Sequence, residues 1–139
     1  MEVITDKIQV STKGHTDVVD LTKSIVQLVT KHKLKNGNVT VFVSGSTAGV
    51  TTVEYEPGLV KDLPEAFERI APTGKSYHHN ATWGDNNGYA HVRASLLGPS
   101  LTVPFHDGEL QLGTWQQIVL IDFDDRPRDR MVVVQLIGS

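Results

Sequence analysis

His79, Asp85 and His91 are the residues whose types first suggest chemistry, two imidazoles and a carboxylate within the stretch SYHHNATWGDNNGYAHVRASLLGPS, Ser76 to Ser100. Neutral imidazole nitrogen with carboxylate oxygen suits a divalent cation such as zinc or manganese, whereas carboxylate and water alone suit magnesium. Eleven residues separate the two histidines and no H-E-x-x-H pattern is present, so the spacing is not a zinc signature. His78 would point the other way in an extended segment and is left out of the set. His79 also has a plain reading, as a core histidine whose nitrogens are satisfied without a ligand.

Other groups offer different chemistry. Glu54, in TTVEYE, shares a strand face with Thr52 and Glu56. Alone it is a surface acid; beside a metal it is a proton acceptor or a water-positioning base. GTWQQ supplies the Thr114 hydroxyl and the Gln116 amide, with Trp115 on the opposite strand face, where core packing is the better reading and a stacking platform the other. Arg126, Arg128 and Arg130 in DDRPRDR have forks that match phosphate oxygens. Asp122, Asp124, Asp125 and Asp129 lie among them, and ion pairing at a hairpin tip accounts for most of these charges more simply.

The elements that must hold these groups follow from periodicity. VITDKIQVST alternates with period two, a strand. Val18, Leu21, Ile25, Leu28 and Val29 then form a helical stripe in GHTDVVDLTKSIVQLVTKHKLKNG, with Thr16 as N-cap and Asn36-Gly37 as stop. NVTVFVSGS and TTVEYE read as strands. Val60, Leu63, Phe67 and Ile70 keep helical spacing from Pro57 to Ile70, with Pro64 expected to kink or restart that helix. An irregular loop follows to about Tyr89. Tyr89 to Leu97 then alternates as a strand, with Ala90, Val92, Ala94 and Leu96 on a core face and Tyr89, His91, Arg93 and Ser95 on a polar one. Solvent alone explains such a polar face; the loop before it, rich in His, Asn and Asp, raises the functional reading. Asp107-Gly108 marks a hairpin, and TWQQIVLIDFD and MVVVQLIG supply two more strands. Helices early and strands late predict an α+β fold, a largely antiparallel β-sheet sandwich with two helices, in one domain over 1–139.

Composition narrows the function classes. With 13 Lys+Arg against 16 Asp+Glu, a formal charge of −3 and a pI near 6.0, the chain lacks the basic surface that a phosphate backbone requires, so nucleic acid is not an expected partner. There are no cysteines, which removes disulfides, thiolate metal sites and thiol nucleophiles. The opening MEVITDKIQV lacks a charged n-region followed by an apolar h-region, so a secretory leader is not expected, and no apolar run approaches the roughly 20 residues of a membrane span. A cytoplasmic protein without a membrane partner is expected.

Several long motifs in order resemble the YjbQ family, also called the secondary thiamine-phosphate synthase family. They are Tyr77-His78-His79-Asn80, Asp85 to His91 as Asp-x-Asn-Gly-x-x-His, Ser95 to Gly98, GELQLGTWQQI, and the Asp-Phe-Asp with its Arg-containing turn. Upstream, Ser46, Thr47 and Ala48 resemble the family's Thr-Thr-Ala segment leading to Glu54. Two positions depart: Gly45 stands where many members carry His, and Val53 where many carry Asn, so a role of that His would fall to His106 or His15 or be lost.

The resemblance implies an α+β homotrimer with a polar site near the subunit boundary. It also implies thiamine-phosphate synthase activity, joining a pyrimidine-methyl pyrophosphate to a thiazole phosphate with release of pyrophosphate. A divalent metal, magnesium or zinc, would be held by His79, Asp85 and His91; Glu54 and His91 would be the acid/base pair; Thr47, Ser95, Thr114, Gln116 and Arg130 would contact the small phosphorylated substrate. Two rival expectations stand beside this one: a trimeric module that binds a metal or small anion without significant catalysis, and a scaffold whose polar loop is only a subunit contact.

Overall fold

The alternating apolar residues of the first and last segments build the larger sheet. In the computed structural model, which describes all residues from Met1 to Ser139, β1 (Glu2–Thr12) pairs with β8 (Arg128–Gly138), β8 with β3 (Gly37–Ser44), β3 with β5 (Ser100–His106), and β5 with the two-residue β6 (Glu109–Leu110). A second sheet has the order β2 (Asp17–Asp20), β7 (Gln117–Asp122), β4 (Ala48–Val53). Every pairing is antiparallel.

β7 explains why two sheets and not one. Its apolar run has no polar alternation, the mark of a strand covered on both sides. Ile118 and Leu120 enter the larger core with Val39, Val41, Val132, Val134 and Leu136 of the opposite sheet, and with Ile25 and Val29 of α1 (Thr22–His32). Val119 and Ile121 face away, into a second core with Phe123, Tyr89, Ala90 and Ala94, against which Leu63 and Phe67 pack. These belong to α2 (Pro57–Ile70) and α4 (Gly88–Leu97), which form an outer layer with α3 (His78–Trp83). The sandwich is therefore five strands, three strands, then helices.

The α+β antiparallel expectation holds; the helix count does not. There are four helices, because the segment expected as loop and strand forms α3 and α4. On α4 the buried residues Tyr89, Ala90, Arg93 and Ala94 recur at helical spacing, and the segment contains one β-branched residue beside two Ala and two Leu, a composition favouring helix. The period-two reading separated His91, Arg93 and Ser95 from Ala94; the helix instead puts Ser95 one turn beyond His91, its hydroxyl donating to the His91 carbonyl at 2.8 Å.

The first helix also starts later than expected. Leu21 is at its N-cap position, while Asp17–Asp20 is strand β2. Thr16, expected as the cap, has φ +62° and is buried, its hydroxyl accepting from Arg93 Nη1 at 3.0 Å. Pro64 does not restart α2, which runs through it, and Glu56 caps that helix by accepting from the Gly58 and Leu59 amides.

Candidate functional site

α3 and α4 make an angular unit joined by the turn from Gly84 to Asn87, and this unit brings the two imidazoles together. The His79 and His91 ring centroids are 4.2 Å apart with an interplanar angle of 47°. Asp85 Oδ1 lies 3.5 Å from His79 Nε2. The Asn87 amide nitrogen donates to Asp124 Oδ1 at 3.3 Å; turned over, it would donate instead to His79 Nε2 at 3.2 Å and to the two Asp85 oxygens at 3.2 and 3.3 Å. Burial pushes the His91 pKa below its ordinary value, reinforced by the neighbouring His79, so His91 is a neutral base at neutral pH.

Next to this pair is a polar cavity of about 360 Å³ lined by Asp85, Asn87, Asp125, Arg126 and Arg128. Its floor is a buried ionic lattice. Asp122 and Asp124 are fully buried. Asp124 is paired to Arg128 Nη2 at 2.7 Å and accepts from Thr47 Oγ1 at 3.0 Å and from the Asp125 amide at 2.8 Å. Burial opposes ionisation of Asp124, but these donors outweigh it and hold the carboxyl well below the usual range. Asp125 moves the other way, raised by burial and by the charge of Asp124.

Arg128 and Arg130 of DDRPRDR are thus paired locally, as expected for most of these charges, although the two aspartates are core residues and not part of an exposed tip. A turn flanked by buried strands carries its charges inward with it, and full pairing is what makes that burial tolerable. Arg130 Nε and Nη2 form a two-pronged contact with Asp122 at 2.7 and 2.8 Å, and Nη2 also donates to Thr47 Oγ1 at 2.6 Å.

The other expected site residues fall elsewhere in the chain. Ala48 is opposite Asp122, whereas Val53 is opposite Gln117, so β4 runs from the ionic lattice to the far end of its sheet, roughly 16 Å at the usual strand rise. Thr47 is at the near end. Glu54, Thr114 and Gln116 are at the far end. Gln116 is held there by two bonds, its carbonyl accepting from the Gly113 amide at 3.0 Å and its nitrogen donating to Thr52 Oγ1 at 3.1 Å. Trp115, expected in the core, is 71% exposed, because the turn residues 113–116 stand off the end of β7. A single chain therefore unites His79, His91 and Asp85 but does not bring Glu54, Thr114 or Gln116 to them.

No three His, Asp or Glu side chains gather around a common point, so the closed cage of a resident zinc does not fit a single chain. Asp125, Arg126 and Arg128 are site residues that the spacing of the histidines could not reveal; the interleaved charges of DDRPRDR were their signal, and for Asn87 it was the Asn-rich loop before His91.

The whole chain has close structural relatives. A family model described as UPF0047 protein YjbQ-like matches residues 6–139. The chain belongs to the UPF0047, or YjbQ-like, family. A UPF0047 protein of Methanothermobacter thermautotrophicus is 36% identical over 139 residues, 100% of this chain and 95% of that protein. One from Archaeoglobus fulgidus is 36% identical over 129 residues, 93% and 98% of the two chains. Among solved structures, a YbjQ-like protein of unknown function from Sulfolobus solfataricus P2 superposes with a TM-score of 0.94 at 35% identity, covering 99% of both chains. A hypothetical protein from Aeropyrum pernix K1 gives 0.91 at 32% identity over 100% of each. The YjbQ-like fold thus extends over the layers that carry the histidine pair.

Proposed function

We propose that this YjbQ-like protein is a transferase acting on small phosphorylated heterocycles, with activity of the thiamine-phosphate synthase type. The observation that supports it is the stacked histidine pair set beside a cavity walled by Arg126 and Arg128. Arg126 and Arg128 receive the pyrophosphate, whose charge grows as the carbon–oxygen bond to the pyrimidine methylene breaks. The thiazole nitrogen carries no proton, so its attack on the methylene carbon gives a thiazolium as pyrophosphate leaves and releases none; His91, neutral and partly desolvated, turns its imidazole lone pair toward the cation and keeps water from it. Asp85 and Asp125 on the cavity wall suit magnesium arriving with the pyrophosphate, held by one or two carboxylates and the phosphate oxygens, and it would neutralise the leaving group's charge. Glu54, Thr114 and Gln116 join this site from a neighbouring copy in a homotrimer, their exposed end of the sheet standing beside Trp115.

The test is a direct assay of the purified protein with both substrates and magnesium. His91→Ala and Arg128→Gln should each lower kcat/KM by about 10²-fold or more, the scale of a lost acid/base or charge-stabilising group. Pyrophosphate with magnesium should raise the Tm of the wild type and not of Arg128→Gln. Equal rates in wild type and His91→Ala remove the enzyme, and a retained thermal shift would then leave the binding module.

A further inference from the structure

Arg130 carries five N–H donors, and the protein uses only those on Nε and Nη2. Nη1 takes part in none of the side-chain bonds. No buried side-chain nitrogen or oxygen in the molecule lacks a partner, so Nη1 must be reached from outside although Arg130 as a residue is only 7% exposed.

Gly45 is where it is reached. A Cβ at this position would lie 2.8 Å from Nη1, with the guanidinium carbon at 3.9 Å and no other atom within contact distance. The missing side chain leaves a window bounded by one nitrogen. Gly45 also borders a small open cavity of about 170 Å³, lined by Ser46, Ala48, Ala94, Ser95 and Pro99. Its walls are small residues and two hydroxyls.

Charge decides what such a window takes. Arg130 already has Asp122 at 2.7 Å and Asp124 at 3.7 Å, and Arg128 balances Asp124. A polyanion entering here would lose its hydration beside the two buried carboxylates that already hold Arg130. A planar oxygen needs only the free N–H groups of Nη1, an interaction strengthened by the charge on the donor. We propose that the Gly45 window is a second ligand subsite, which binds a carbonyl or carboxylate oxygen on Arg130 Nη1 with its small substituent in the Ser46–Ser95 cavity. The subsite goes beyond the transferase reading and does not depend on it, since the pyrophosphate cavity uses Arg126 and Arg128.

Acetate, acetamide and pyrophosphate, each titrated into the isotope-labelled protein, test this by the amide resonances of Gly45, Ser46 and Ser95. Acetate or acetamide should shift all three saturably, and pyrophosphate should not. Gly45→Ala should abolish the shifts by filling the window. Because that backbone has φ +145°, Ser95→Val, which narrows the cavity from the helix and leaves Gly45 and Arg130 in place, is the second variant and should weaken binding at least fivefold. Saturation that is unchanged in a folded Ser95→Val protein, pyrophosphate acting as the better ligand at these amides, or no saturable shift in the wild type overturns the subsite. None of these outcomes bears on His91→Ala in the synthase assay.

Discussion

At the residue scale, the consequential groups are buried charges whose partners are fixed. Asp122 accepts from Thr12 Oγ1 at 2.6 Å, from the Asp124 amide at 3.0 Å and from two nitrogens of Arg130. Asp122→Asn keeps the shape but takes from the Arg130 guanidinium the carboxylate it grips with two nitrogens, and breaking a buried pair on one side costs about 3–5 kcal/mol. Urea unfolding at neutral pH should show that loss. The pH dependence has a definite sign. Burial raises the Asp122 pKa, but the hydrogen bonds from Arg130 and Thr12 win and lower it below the ordinary 3.8. Its stabilisation is present above about pH 4 and is lost as pH falls through the folded-state value, so the variant should show a shallower acid limb than the wild type. In the sequence these aspartates looked like a solvated tip, because alternation of charge reports pairing and carries no information about depth; only the double burial of β7 puts Asp122 at zero exposure.

At the element scale, α4 sits close on β4, and Gly49 is the reason it can. A Cβ at Gly49 would meet the Gly98 carbonyl oxygen at 2.7 Å and Leu97 Cδ2 at 2.7 Å. The Val50 amide donates to that same Gly98 carbonyl at 3.0 Å, fixing the helix end to the strand. Gly49→Ala should therefore destabilise by about 1–3 kcal/mol, the usual cost of overpacking. Adding Leu97→Ala should relieve part of the side-chain clash and none of the backbone one, which a comparison of the three urea midpoints resolves. Helix and strand were hard to separate here for a physical reason. Ala90 and Ala94 satisfy a two-residue period and a helical one equally well, so the stripe alone is ambiguous over ten residues. The absence of a β-branched run was the better signal. β3, with Val39, Val41 and Val43 alternating with polar or exposed positions, had no such ambiguity and was legible as it stands. The pairing of His79 with His91 was also legible, although the expected strand would have presented His91 from a different scaffold.

At the scale of the whole molecule, the expected catalytic set is divided between the two ends of the three-stranded sheet. His79, His91 and Asp85 belong to one end and Glu54, Thr114 and Gln116 to the other. The outer helices and the far turn also expose large apolar side chains, Val92 and Leu96 on α4, Ile70 on α2 and Trp115. A cyclic trimer that joins one end of each copy to the other end of the next would cover such residues and complete three equivalent sites. Subunit mixing separates this from a site held within one chain. His91→Ala and Glu54→Ala proteins, each inactive alone, should regain activity when unfolded together and refolded. Random assembly pairs an intact His91 with an intact Glu54 at about a quarter of the boundaries, so about a quarter of wild-type activity should return. If His91 and Glu54 served the same site within one chain, every chain in the mixture would still carry one defect and no activity would appear. Sedimentation of the same mixture reads the mass of the assembly: a monomer throughout would exclude the shared site, whatever the activity.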